Sequence, residues 1–166
     1  MARLVLVGLP GVGKTTTAHA LATYWHCDAI DTDDVLGEAV GMSPAVFLRE
    51  KGEIDFRARE LDALRVALES DAVVATGAGI VTTSAARDLL VPSFVFWLDS
   101  DDETLLSRVS DGERPLLGAD HRQGLARLRA EREAWYEAVS RVRVDASGST
   151  DDVLQRVLGE VEKVEP

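Results

Sequence analysis

Apolar positions in this chain fall into short unbroken runs, separated by stretches that repeat every three to four residues. Leu4–Val7 is four apolar residues in succession, the pattern of a strand buried on both faces. Lys14–Trp25 has helical spacing, and Cys27–Ile30 predicts a second short strand running into carboxylates. Val35–Val40 and Pro44–Ser70 read as helix, the second broken near Gly52. Ala72–Ala75 predicts a third strand, Thr82–Leu90 a helix, Phe94–Leu98 a fourth strand and Asp101–Val109 another helix. A turn-rich patch over residues 111–124, DGERPLLGADHRQG, precedes an arginine-rich helix from about Leu125 to Ser140. Val142–Val144 is the fifth strand, and Asp151–Val161 the last helix.

Five strands alternating with helices predict an α/β fold: a five-stranded parallel sheet covered by helices on both faces. The chain shows no internal repeat, low-complexity tract or linker, so residues 1–166 are expected to form a single domain. The patch at 111–124 is long for a connection inside a compact domain, and such segments serve as lids or lie as plain surface loops.

Composition narrows the function classes. With 46% hydrophobic and 28% charged residues the chain is an ordinary globular domain. No apolar run approaches the roughly 18 residues of a membrane span, and no signal-peptide pattern precedes the first strand, so the expected compartment is the cytoplasm. Cys27 stands alone and reads as a reduced core residue. A net charge of −11 argues against a nucleic-acid partner. No exposed apolar stripe stands out, so a monomer is expected. Only Lys14, Lys51 and Lys163 among the 18 cations are lysines, and the rest are arginines. An acidic protein that binds anions must concentrate its positive charge locally, so the placement of those arginines matters.

The first strand leads into GLPGVGKTT, residues 8–16. Gly8 through Thr15 matches G-x-x-x-x-G-K-[ST] after a strand and at the opening of a helix, the context in which that loop cradles phosphates. Small residues let the backbone N–H groups of Gly11, Val12, Gly13, Lys14, Thr15 and Thr16 converge, and the helix N-terminus adds about half a positive charge. Lys14 would reach the terminal phosphates and the Thr15 hydroxyl would ligate Mg²⁺, which points to a nucleoside triphosphate with Mg²⁺. A guanine-nucleotide switch is disfavoured, because its base is read by an asparagine in N-K-x-D and this sequence contains no asparagine. A motor or transport ATPase would end a strand in a metal-binding carboxylate. The third strand ends instead in Thr76-Gly77-Ala78-Gly79.

Carboxylates sit at the end of the second strand, in DAIDTDD. If the chain is still extended there, Asp31 and Asp33 project to one side, beyond the carboxyl edge of the sheet where α/β ligands bind. One could hold Mg²⁺ through water while the other takes a proton from an acceptor hydroxyl. Capping of the following helix by Asp31 or Asp33 is the alternative, and one residue can do both. Asp34 is equally placed on spacing alone.

Taken in order, GLPGVGKTT, DTD at 31–33, FR at 56–57, GAG at 77–79, RPLL at 114–117 and Arg132 with Tyr136 resemble the shikimate kinases nearly end to end. The resemblance implies a P-loop kinase fold related to nucleoside monophosphate kinases, with an acceptor-binding segment at about 32–62 and a lid at about 111–124. It implies phosphorylation of a shikimate hydroxyl by ATP, in aromatic amino-acid biosynthesis. It assigns Asp33 as base and acceptor contact and Asp31 as the water-mediated metal partner. Arg57 and Arg132 become the clamp on the acceptor carboxylate, and Gly77, Ala78 and Gly79 the pocket wall. Arg114 becomes the lid cation over the phosphates, and Arg108 the residue against adenine, with Ser147-Gly148-Ser149 closing the other side. Planar guanidinium suits a carboxylate clamp, since it pairs bidentately and keeps its charge.

Spacing alone leaves other pairings open: Arg57 with Glu53 or Glu60, and Arg132 with Glu131. Trp135 is either core or a pocket residue. The family usually has three glycines where this chain has Gly77-Ala78-Gly79, and some relatives carry a basic residue near Ser149. If Ala78 needed positive φ, its methyl group would reshape the pocket. A kinase for a related acid, such as an aminoshikimate-like compound or gluconate, is therefore the runner-up, and a nucleotide-dependent switch or NTPase the distant one.

Overall fold

The computed structural model describes residues 1–109 and 117–164. In chain order the elements are β1 (Leu4–Val7), α1 (Lys14–Trp25), β2 (Asp28–Asp31), α2 (Thr32–Val40), α3 (Pro44–Lys51), α4 (Glu53–Glu69), β3 (Ala72–Ala75), a 3₁₀ turn (Ile80–Thr82), α5 (Ser84–Leu90), β4 (Val95–Asp99), α6 (Asp102–Val109), α7 (His121–Val139), β5 (Val142–Asp145) and α8 (Thr150–Val164). The strands form one parallel sheet in the order β2-β3-β1-β4-β5. Chain reversal at β1 puts its carboxyl end at the switch between the two halves of the sheet, where ligands of such folds bind.

Burial follows strand position. β1, β3 and β4 are wholly buried, as their apolar runs require, whereas β2 and β5 at the edges carry polar residues. The main core joins these strands to α1, α7 and α8. A second, smaller cluster is separate: Leu36, Phe47, Phe56 and Ala63 pack α2, α3 and α4 into an arm of their own. This arm follows β2 directly and spans residues 32–69. α7 is fastened to the sheet by charge. Asp99, at the end of β4, accepts from Arg129 of α7 at 2.9 Å and from Arg143 of β5 at 2.5 Å.

Several boundaries differ from the sequence reading, each for a local reason. α2 begins at Thr32 rather than Val35, because the Asp31 carboxylate caps it by accepting from Asp33 N at 2.9 Å. The break near Gly52 is real and separates α3 from α4. α7 begins at His121, capped by Asp120 through Gln123 N, so residues 121–124 are helix and not turn. Thr82–Leu90 divides into the 3₁₀ turn and α5.

Candidate active site

The phosphate loop lies between β1 and α1 as its spacing demands. Gly13 takes left-handed geometry at the N-cap of α1, which turns the following amides toward the loop's hollow. Lys14 Nζ donates to the carbonyls of Gly8 and Leu9 at 2.8 and 3.1 Å, which holds the ammonium over the loop. The Thr15 hydroxyl donates to Asp31 Oδ2 at 2.5 Å, across from the end of β2. Asp31 thus caps α2 with one oxygen and meets the phosphate loop with the other. The capping role weighed for it from sequence is thus present, and the second oxygen is left facing Thr15.

These hydroxyl and carboxylate oxygens are hard donors of the kind Mg²⁺ takes. Mg²⁺ retains waters and binds phosphate oxygens, so one or two protein oxygens suffice. Among the described residues no group of three His, Cys, Asp or Glu side chains converges into a larger metal cage.

A single cavity of about 830 Å³ runs from this loop to the α2–α4 arm. Its floor between the two ends is formed by Asp31, Asp33 and the turn Gly77-Ala78-Gly79 after β3. The Asp33 carboxyl is pushed up to about 6, first by burial and then by the neighbouring carboxylates of Asp31 and Glu60, with Lys14 pulling the other way. Asp34, in contrast, is exposed on the outer side of α2. Helix register therefore separates two residues that spacing left equivalent.

At the far end, Arg57 Nη1 donates to Glu60 Oε2 at 2.7 Å, and its Nη2 lies 3.4 Å from the exposed Glu53. Glu60 is buried, which raises its carboxyl, while the charges of Arg57 and Arg132 draw it back. The local pairing of Arg57 is therefore present, and it holds the guanidinium at the cavity wall. Arg132 is buried in α7 behind that wall, outside the cavity lining. Its Nε lies 3.7 Å from Glu131, and Nε and Nη1 make no hydrogen bond. The Nε of Arg57 is unpaired as well. Buried donors without acceptors are costly, and an oxygen acceptor reaching them would offset that cost.

The Gly77–Gly79 turn explains its own composition. A Cβ at Gly77 would stand 2.7 Å from Glu60 Oε1 and 3.0 Å from Asp33 Oδ1, and one at Gly79 would run into the Arg57 guanidinium. Gly79 has φ −90°, so it is glycine for space and not for backbone freedom. Ala78 has negative φ, and its methyl group is accommodated at the cavity wall. The turn is tied to its surroundings by Gly77 N donating to Thr32 Oγ1 at 3.0 Å and by Tyr136 Oη donating to Ala78 O at 2.5 Å. Neither contact was anticipated. The buried Thr32 inside DTD was the available signal for the first, and Tyr136 one helical turn after Arg132 for the second.

At the other end of the cavity Arg108 donates to the carbonyls of Val12, Ala146 and Gly148 at 3.2, 3.1 and 3.3 Å. It stitches the phosphate loop to the loop after β5, and Gly148 and Ser149 line the cavity there. Ser149 is occupied with Asp152, in a cap of α8. Trp135 lies under the Arg87 guanidinium, 4.8 Å from its ring centroid, outside the cavity lining. The Arg114 expectation and residues 111–116 of the expected lid lie outside the described residues.

Comparison with known proteins agrees over nearly the whole chain. The family model described as shikimate kinase matches residues 10–162. A shikimate kinase of Corynebacterium jeikeium is 38% identical over 165 residues, which cover 98% of this chain and 89% of that protein. The structure of a shikimate kinase from Acinetobacter baumannii in complex with shikimate superposes with a TM-score of 0.91 at 30% identity, covering 98% of this chain and 94% of the other. A gluconokinase from Sinorhizobium meliloti, with TM-score 0.62 and 16% identity over 97% of this chain and 91% of its own, shares the fold alone.

Proposed function

Since the chain belongs to the shikimate kinase family, we propose that it transfers the terminal phosphoryl group of ATP to a ring hydroxyl of shikimate, giving shikimate 3-phosphate. One observation supports this reading: the G-x-x-x-x-G-K-[ST] loop and Arg57 line the same cavity, with Asp33 also in its lining. The chain acts as one P-loop kinase domain, a cytoplasmic monomer with neither nucleic acid nor membrane as partner.

Each side chain then has a task its surroundings suit. The amides of residues 11–16 and the Lys14 ammonium bind the phosphates and take up charge as the phosphoryl group moves. Thr15 and, through water, Asp31 would hold Mg²⁺, which neutralises phosphate-oxygen charge when bound. Asp33 accepts the proton of the attacking hydroxyl. With its carboxyl near 6 it is ionised at neutral pH yet basic enough to serve. Arg57, fixed by Glu60, and Arg132 bind the acceptor carboxylate, and the Gly77–Gly79 turn shapes the wall around the ring. Arg108 flanks adenine. Arg114, on a lid formed by the part of 111–124 that precedes α7, closes over the phosphates and excludes water until the acceptor is in place.

The runner-up acceptors lose their main support. The departure at Ala78 was the reason to consider an altered pocket, and the backbone there is one that any residue adopts. The test is ADP release with ATP, Mg²⁺ and a panel of cyclic and polyol acids. Turnover is expected with shikimate, with little for gluconate or for ATP alone. Turnover led by another acid, or equal hydrolysis without acceptor, would refute the assignment.

A further inference from the structure

We propose that Tyr136 is a positioning residue for the acceptor pocket, its hydroxyl setting the peptide plane between Ala78 and Gly79 while backing the Arg132 guanidinium. This rests on the shikimate kinase reading and deepens it. Tyr136 is 1% exposed, and its ring stacks on Trp97 of β4 with centroids 5.9 Å apart. The ring is therefore fixed by the main core, independently of the cavity. Its one hydroxyl hydrogen is given to Ala78 O at 2.5 Å.

Arg132 precedes Tyr136 by one turn of α7, so the two side chains share a face. Burial raises the Tyr136 phenol far above its ordinary value, and the Arg132 guanidinium acts in the opposite sense. The phenol thus stays neutral, with a hydrogen to donate, throughout the working pH range. Guanidinium has no acceptor, so the only division of labour is a hydrogen toward Ala78 and oxygen lone pairs toward Arg132.

The peptide bond makes this matter for the acceptor. A trans peptide holds C=O and the next N–H antiparallel. Fixing the Ala78 carbonyl on Tyr136 therefore turns the Gly79 N–H away from α7, on the side where residues 77–79 line the cavity. The 3₁₀ turn that follows would otherwise be free to rotate that plane, since its bonds use the carbonyls of Gly77 and Gly79 and leave that of Ala78 aside. Tyr136 touches neither nucleotide loop, so its loss should register at the acceptor alone.

The experiment compares wild type with Tyr136→Phe, which keeps the stacked ring and deletes the hydroxyl. A buried carbonyl left without its donor predicts a rise of about tenfold in acceptor KM, with ATP KM within about twofold. Replacing Tyr136 with 4-aminophenylalanine, which restores a donor on the same ring, should return acceptor KM to near wild type. A folded Tyr136→Phe with unchanged acceptor KM, or with both KM values raised alike, overturns the proposal. If Tyr136→Phe fails to fold, the 4-aminophenylalanine protein decides: acceptor KM near wild type supports the role, and a tenfold rise overturns it. Wild-type turnover is read in parallel on the acid panel. Should wild type prefer another acid, the shikimate assignment fails while the Tyr136 comparison is made with that acid. Should it use none, both fall.

Discussion

The two ends of the cavity are built on different principles. The phosphate-loop end comes from one contiguous stretch, residues 8–16, and presents backbone amides oriented by a turn and a helix start. The acceptor end draws on α2, α4, the Gly77–Gly79 turn and α7, and works through side chains that restrain one another. A site made of backbone is hard to alter by substitution and recognises a chemistry common to many proteins. A site made of braced side chains is specific and can be dismantled one contact at a time. On the proposed assignment, phosphate binding belongs to the loop after β1, and the choice of acceptor falls to the smaller arm and its contacts to α7.

Substitutions at each end can break or sharpen this contrast. The largest effect is expected at Arg114, proposed to cover the phosphates: Arg114→Ala should lower kcat by about 10³–10⁵ with a modest change in ATP affinity. Loss of ATP affinity with kcat retained would reassign Arg114 to ground-state binding. Asp33→Asn should lower kcat by about 10²–10⁴ while nucleotide titration gives a near-normal Kd. Near-normal turnover would remove Asp33 as base.

A smaller effect separates neighbouring residues of one turn. Gly79→Ala must displace the Arg57 guanidinium, and a strain of about 1–2 kcal/mol there corresponds to roughly 5- to 30-fold in acceptor KM. Ala78→Gly, by comparison, should change acceptor KM by no more than about threefold. Equal effects at the two positions would mean that Arg57 is not held at the wall.

The smallest effect is thermodynamic. Because the Asp33 carboxyl is raised to about 6, the folded chain binds its proton more tightly than the unfolded chain, whose carboxyl titrates near 3.9. Ionising Asp33 therefore costs stability as pH rises from about 4 to 6, and the cost persists above that range. In the absence of ligands, Asp33→Asn should melt higher than wild type at pH 7.5. The gap should narrow between pH 6 and 4 and close below it.

The same contrast governs what could be read from the chain in advance. β1, α1 and the phosphate loop were legible to the residue, because contiguous sequence determines them. β3 was equally plain as a buried apolar run. The start of α7 was hidden because Gly124 reads as loop punctuation. In the fold it is needed inside the helix, where the backbone of Leu117 passes against it and leaves no room for a Cβ. Arg57 and Glu60 were legible as a pair at helical spacing, but their meeting with Asp33 and Gly77 depends on how the α2–α4 arm seats on β3. Tyr136 on the Ala78 carbonyl joins residues 58 positions apart, so its spacing from Arg132 marks the residue but not its partner.

The span made by Arg108 has an evolutionary consequence. One guanidinium holds the nucleotide end together by grasping three main-chain oxygens, none of which belongs to a particular side chain. Within residues 146–149, Gly148 keeps a left-handed backbone with no room for a Cβ and Ser149 caps α8, so only changes that respect those two constraints leave the carbonyls within the guanidinium's reach. A substitution elsewhere in that loop that leaves these carbonyls in place keeps the two loops in register.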